Sequence, residues 1–141
     1  MSALQLELPE DLRAKLAQVQ KSHCSDLLAN RDPDVRKLYV TYKLLQLRRS
    51  QPRWFDEQAR YVPLHAEGHN AHRVLAFMRG SNVLVVVPRL TARLKDQWGD
   101  TRIELPQGAW ENVLCGVQVN SGLISELFAE FPLAVLIPRP R

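Results

Sequence analysis

Four carboxylates in the second half of the chain, Asp96, Asp100, Glu104 and Glu111, are the first residues to weigh for chemistry. Cleavage or transfer of a glycosidic bond needs two carboxyl groups about 5–10 Å apart across the scissile bond. Each of the four falls in a loop or on the wet side of an expected strand, where charged residues belong without any catalytic task. Trp54, Trp98 and Trp110 offer flat apolar rings, and Trp98 and Trp110 are the two candidates for stacking against a sugar. The competing use of such rings is as core or interface anchors. His65, His69 and His72 have spacings that would suggest a metal set on a helix. Here they straddle a turn between extended runs, with no HExxH or Cys-x-x-Cys beside them. His23 and Cys24 are neighbours, about 100° apart on a helix, and cannot face each other as base and nucleophile. There is no G-x-S-x-G, no P-loop and no dinucleotide glycine fingerprint. The residues alone therefore name no catalytic group, no cofactor site and no metal site.

The elements that would hold these side chains are clearer. Val83-Leu84-Val85-Val86-Val87 is an unbroken apolar run with four β-branched members, which suits a central strand covered on both faces. Val74–Met78 lies just upstream, across Arg79-Gly80-Ser81-Asn82. That link is too short for a crossover helix, so the pair is an antiparallel hairpin. Leu133–Ile137, bracketed by prolines, is a third all-apolar strand. Tyr61–His65 is extended, and Pro63 implies an edge position. Thr101–Leu105 alternates and predicts a strand with one wet face; Trp110–Leu114 predicts another short strand. Arg89 to Asp100 reads as a loop. Ser121–Phe131 predicts a short strand running into a helical turn. Ahead of the strands, residues 9–29 predict a helix, with Leu12, Leu16, Val19 and Leu27 at helical spacing. Asp32-Pro33 starts a second helix as N-cap and first-turn proline, and it runs to about residue 50. Its apolar residues fall on two arcs, one of Val35, Leu38, Tyr39, Tyr42 and Leu45, the other of Val40, Leu44 and Leu47. A helix of that kind is packed between two bodies of protein. The expected fold is α+β: a mainly antiparallel sheet or sandwich preceded by two N-terminal helices.

Composition narrows the class. With 45% hydrophobic and 24% charged residues the chain reads as a folded, soluble domain. No apolar stretch reaches the roughly 18 residues of a membrane span. The acidic N-terminus (Glu7, Glu10, Asp11) does not read as a secretory signal. Cys24 and Cys115, far apart in sequence, read as thiols of a reducing compartment, which predicts a cytoplasmic protein. The net charge of +4 is concentrated between residues 31 and 60, where eight basic residues face four acids. Aromatics and glycines are not interleaved with them as a nucleic-acid surface would require. The excess predicts a solvated helix face or one that meets an acidic neighbouring domain.

A family resemblance rests on the order of several short motifs. Lys37-Leu38-Tyr39-Val40-Thr41 and Leu45-Gln46-Leu47-Arg48-Arg49 come first, then Pro52, Phe55 and Tyr61-Val62-Pro63-Leu64. Val85-Val86-Val87-Pro88-Arg89-Leu90 and Trp98-Gly99-Asp100-Thr101 follow, with Leu105-Pro106 and Asn112-Val113-Leu114. Phe131-Pro132-Leu133-Ala134-Val135-Leu136 completes the series. Over roughly residues 33–137 this resembles the last part of malto-oligosyltrehalose synthases, members of the α-amylase superfamily. One departure is the link between Phe55 and Tyr61, where the family has a glycine and this sequence has none.

The resemblance implies a (β/α)8 barrel elsewhere in the full enzyme, a unit of about 250 residues. Its catalytic carboxylates lie upstream of the matching part, so none carries over to a position here. Residues 33–50 would be the last barrel helix, residues 1–52 a helical lead-in and residues 53–141 a C-terminal β-domain. The implied reaction of the whole enzyme is intramolecular transglycosylation of maltodextrin to a trehalose end, an isomerase activity without a cofactor. The expected role of this chain is non-catalytic and structural, with the catalytic barrel as partner and self-association through helix 33–50 when it is alone. The alternative is a carbohydrate-binding module that presents Trp98 or Trp110 to an α-glucan such as a maltooligosaccharide. Neither reading involves nucleic acid or a membrane.

Overall fold

A computed structural model describes residues 10–21, 32–89, 98–129 and 131–139. Its centre is one antiparallel sheet of six strands: β1 (Tyr61–Leu64), β2 (Val74–Arg79), β3 (Val83–Pro88), β4 (Trp110–Asn112), β5 (Val117–Val119) and β6 (Ala134–Pro138). They lie in the order β1-β2-β3-β6-β4-β5. The apolar run of β3 is interior, between its hairpin partner β2 and the last strand β6. Pro63 sits in β1, an edge strand, where its missing N–H costs no ladder bond. Three helices accompany the sheet among the described residues: α1 (Glu10–Lys21), α2 (Pro33–Ser50) and the single turn α3 (Ile124–Leu127). Of the helix expected over 9–29, Pro9 and residues 22–29, with His23, Cys24 and Leu27, lie outside the described residues.

Local chemistry explains where α2 begins and ends. The Asp32 carboxylate accepts the Asp34 N–H at 3.0 Å, and Pro33 occupies the first turn, where its missing donor is harmless. At the other end the Gln51 N–H bonds the Leu47 carbonyl at 2.8 Å and Pro52 opens a short 3-10 turn. The Lys15 ammonium on α1 lies 3.1 Å from Asp32 and 3.6 Å from Asp34, tying the two helices together at the N-cap. The link without a glycine, 56–60, is turned by an aspartate instead. Asp56 accepts the Gln58 N–H on its side chain at 3.0 Å and the Ala59 N–H on its carbonyl at 3.1 Å.

Successive residues of a strand point to opposite sides of the sheet, and paired residues point to the same side. Register therefore sorts the strands into two faces. On one, Val74, Ala76, Met78, Leu84, Val86, Ala134, Leu136, Trp110 and Asn112 are all buried. Trp98, Ile103, Ile124 and Leu127 cover them and complete that core. On the opposite, helix-bearing face only Val83 and Val135 are buried, beneath Val35, Tyr39 and Leu47 of α2. Val19 of α1 joins this second core, along with Leu114, Cys115 and Phe131.

One expectation changes here. Thr101–Leu105 does not join the sheet. Arg102 alone makes bridges, to Glu67 on one side and Leu123 on the other. The alternation of the segment is that of a cover strip, with Thr101 and Ile103 inward and Arg102 and Glu104 outward. It is stitched down by Arg102 N–H to Glu67 O at 2.9 Å, Ile103 N–H to Gly122 O at 2.9 Å and Ile124 N–H to Thr101 O at 3.0 Å. Glycine is required at the closest approach, because a Cβ on Gly122 would stand 1.8 Å from the Ile103 carbonyl oxygen. The α+β class holds. The described residues contain one multi-stranded antiparallel sheet, covered by helices on one side and by this strip with α3 on the other.

Candidate docking surface

The side chains singled out for chemistry do not converge. Asp96 lies outside the described residues. Asp100 is exposed and accepts the His69 N–H at 3.1 Å, so it shapes a turn. Glu104 is exposed on the cover strip, while Glu111 pairs with Ile137 on the helix-bearing face, so the sheet stands between them. Glu104 shares a shallow surface cleft with Glu67 and Arg102, and Arg102 approaches Glu67 at 3.8 Å. Both glutamates face open solvent there. Among the described residues no group of three or more His, Cys, Asp or Glu is placed to hold a metal ion. Cys115 is buried in the helix-side core. No helix of the described residues is long and apolar enough to cross a membrane.

The two stacking candidates are buried. Trp98 and Trp110 are each only 4% exposed. Trp98 meets Phe128 edge-on at 5.4 Å, and the Trp110 indole N–H donates to the Pro106 carbonyl at 2.8 Å. Both rings are occupied by the core that closes the first face and present no flat surface to a sugar.

Helix α2 is less bare than its sequence suggests. Leu38, Val40, Tyr42 and Leu44 are half-buried against the chain's own second core, and the Tyr39 hydroxyl donates to the Leu114 carbonyl. Lys37, Thr41, Gln46, Arg48 and Arg49 are exposed, and among its large apolar side chains Leu45, at 45%, stands open.

The open apolar surface lies instead on the sheet. Leu75 of β2 is 49% exposed, although its strand is interior, and Tyr61 of β1 is 65% exposed. With Pro63, Phe77, Val85 and Val87 they share the helix-bearing face, where Val85 is partly covered by the helix-side core. Phe77 supports the Tyr61 ring at 5.3 Å. Arg79 sets the border of this area. Its guanidinium lies 4.6 Å from the Tyr61 ring and bonds the Tyr61 hydroxyl at 2.6 Å and the Phe55 carbonyl at 3.0 Å. One side chain thus holds the 3-10 turn, β1 and β2 together. Sequence reading missed this patch because an all-apolar run looks buried on both sides. The available signal was Arg79 at the strand end, beside an edge strand that begins with tyrosine.

On the other flank of α2 the same face forms an open groove. Leu47, Val113 and Ile137 line its floor, with Lys43, Gln46, Arg49 and Ser50 along the helix side.

Comparison with known proteins places these surfaces in a larger context. No family model matches the chain. Over 103 residues, 72% of its length, the chain is 39% identical to proteins named as maltooligosyl trehalose synthase in two strains of Mycobacterium tuberculosis. The solved structure of maltooligosyltrehalose synthase from Arthrobacter ramosus matches 90% of the chain with a TM-score of 0.70 and 27% identity. A mutant of that enzyme matches 94% of it, with a TM-score of 0.72 and 28% identity. The chain spans 13% of the length of the mycobacterial relatives and 17% of the solved chains.

Proposed function

We propose, for a chain akin over most of its length to a part of maltooligosyl trehalose synthase, that it is a non-catalytic C-terminal domain of such an enzyme. In this reading residues 33–50 are the last helix of the catalytic barrel, residues 1–52 the helical lead-in and residues 53–141 the β-domain that packs on the barrel. The catalytic carboxylates of the transglycosylation belong to the barrel. The domain contributes stability and shape, works without a cofactor and resides with the enzyme in the cytoplasm.

The observation that carries the reading is the half-covered helix-bearing face. A sheet in which Leu75 and Tyr61 remain open, beside a helix with Leu45 open, has apolar surface of the kind usually closed by further protein. The relatives' much greater length supplies candidates for that protein.

Incubation of the 141-residue chain with maltohexaose tests the non-catalytic role. The expected outcome is unchanged substrate, and a trehalose-ended product would overturn it. Sedimentation with a hydrophobic dye tests the open face. Dye binding and concentration-dependent association are expected, and a strictly monomeric chain without bound dye would count against it.

A further inference from the structure

We propose that the groove between the C-terminal half of α2 and the β4–β6 side of the sheet is the seat of an acidic-apolar segment from the catalytic portion of the parent enzyme. This rests on the domain reading above and names the chemistry of one contact within it.

The floor of the groove is apolar, formed by Leu47, Val113 and Ile137, the last two only half-buried. Its rim on the helix side carries Lys43 and Arg49. Neither cation has a carboxylate partner among the described residues, whereas Lys15 on the same helical layer has two. Lys43 does lie 5.8 Å from the Tyr39 ring, which fixes its stem along the helix. Arg49 belongs to the last turn of α2, where a cation also suits the helix dipole. Lys43 lies two turns from that end and has no such reason to be basic. The nearest acid on the sheet is Glu111, across from Ile137, and it pairs with neither cation.

An apolar floor under two cations is complementary to one chemistry: an apolar side chain flanked by carboxylates. The apolar group would cover Ile137 and Val113, and the carboxylates would meet Lys43 and Arg49. A polar or basic segment would leave the floor wet or bring like charges together. The concentration of basic residues between 31 and 60 gives the same sign over a wider area.

A chimeric enzyme tests the assignment. The matching 103-residue region of the mycobacterial synthase is replaced by the part of this chain that matches it, and surface lysines are acetylated and mapped by mass spectrometry. Lys43 should lose its reactivity in the chimera relative to the isolated chain, while exposed Lys37 keeps its own. The double variant Lys43→Glu with Arg49→Glu should lower the melting temperature of the chimera, more so at low salt, and lower that of the isolated chain by less, since there it loses only the dipole and ring contacts of the two cations. An active chimera in which Lys43 remains as reactive as in the isolated chain overturns the groove assignment and leaves the domain reading standing. A chimera whose mycobacterial part is folded and active while this chain hangs loose and protease-sensitive overturns both. Protection of Lys43 in the isolated chain that grows with concentration would make a second copy the occupant and also refute the proposal.

Discussion

The two faces of the sheet are both largely apolar, yet they end in different states. On the cover-strip face every side chain from the interior of β2, β3, β4 and β6 is buried, down to the amide of Asn112. On the helix-bearing face Leu75 stands half open, Phe77, Val85, Val87 and Ile137 are partly covered, and burial is complete only at Val83 and Val135. The first face is closed by chain a few tens of residues away, held by backbone bonds from Glu67, Gly122 and Thr101. The second is roofed mainly by α2, about 10–12 Å wide with its side chains, with Val19 of α1 beside it, over a wider sheet at a strand spacing of about 4.8 Å. Among the interior strands the first face is the more completely closed, while at its edges Val62 and Val117 stay open, at 49% and 42%.

Truncation of core residues should separate the two faces most sharply. Leu84→Ala or Leu136→Ala should cost about 2–5 kcal/mol in urea unfolding, while Leu75→Ala should cost under about 1 kcal/mol. Equal losses would erase the distinction. Gly122→Ala attacks the stitching of the closed face. With the Ile103 carbonyl in the way of any Cβ, it should cost about 1–3 kcal/mol or more, and a neutral result would show that the strip is not held there. Asn112 comes next. Its side-chain oxygen accepts the Leu114 N–H at 3.1 Å and the Val135 N–H at 3.5 Å, so Asn112→Ala strands buried donors at about 1–3 kcal/mol.

The helix side should show a smaller, pH-dependent effect at its N-cap. The Lys15 ammonium, with help from the Asp34 N–H, holds the Asp32 carboxyl below its ordinary value, and the Asp32 carboxylate raises Lys15 above its own. Asp32 therefore stabilises the fold above the ordinary carboxylate value, and this is lost as pH falls through the lowered one. Lys15 stabilises it below the ordinary lysine value, and this is lost as pH rises through the raised one. The melting-temperature gap between the parent chain and Asp32→Asn should be constant between these limits and narrow beyond both. The weakest expected effect is a null one: maltooligosaccharide titration should leave the emission of buried Trp98 and Trp110 unquenched. Quenching would reopen the carbohydrate-binding reading.

Much of the architecture was legible locally. The hairpin of β2 and β3 follows from a link too short for a crossover, the start of α2 from Asp32-Pro33, and the edge position of β1 from Pro63. These features are decided by bonds and sterics within a few residues. The strand expected over Thr101–Leu105 failed because alternation reports only which residues face inward. It does not say whether the neighbours form a ladder or a single bridge. The choice between the two uses of Trp98 and Trp110, stacking on a sugar or anchoring a core, was not legible for a related reason, since a ring's residue type carries no record of what packs on it.

By itself, then, the order of residues determined the elements, the caps and the apolar content of the central strands. Only the tertiary structure decided which side of those strands would be closed. Apolar side chains on both faces of β2, β3 and β6 leave the sequence without a sign of which side is closed. The difference arises from where distant segments, Thr101–Leu105 and α2, come to rest, and how much of the sheet each is wide enough to cover.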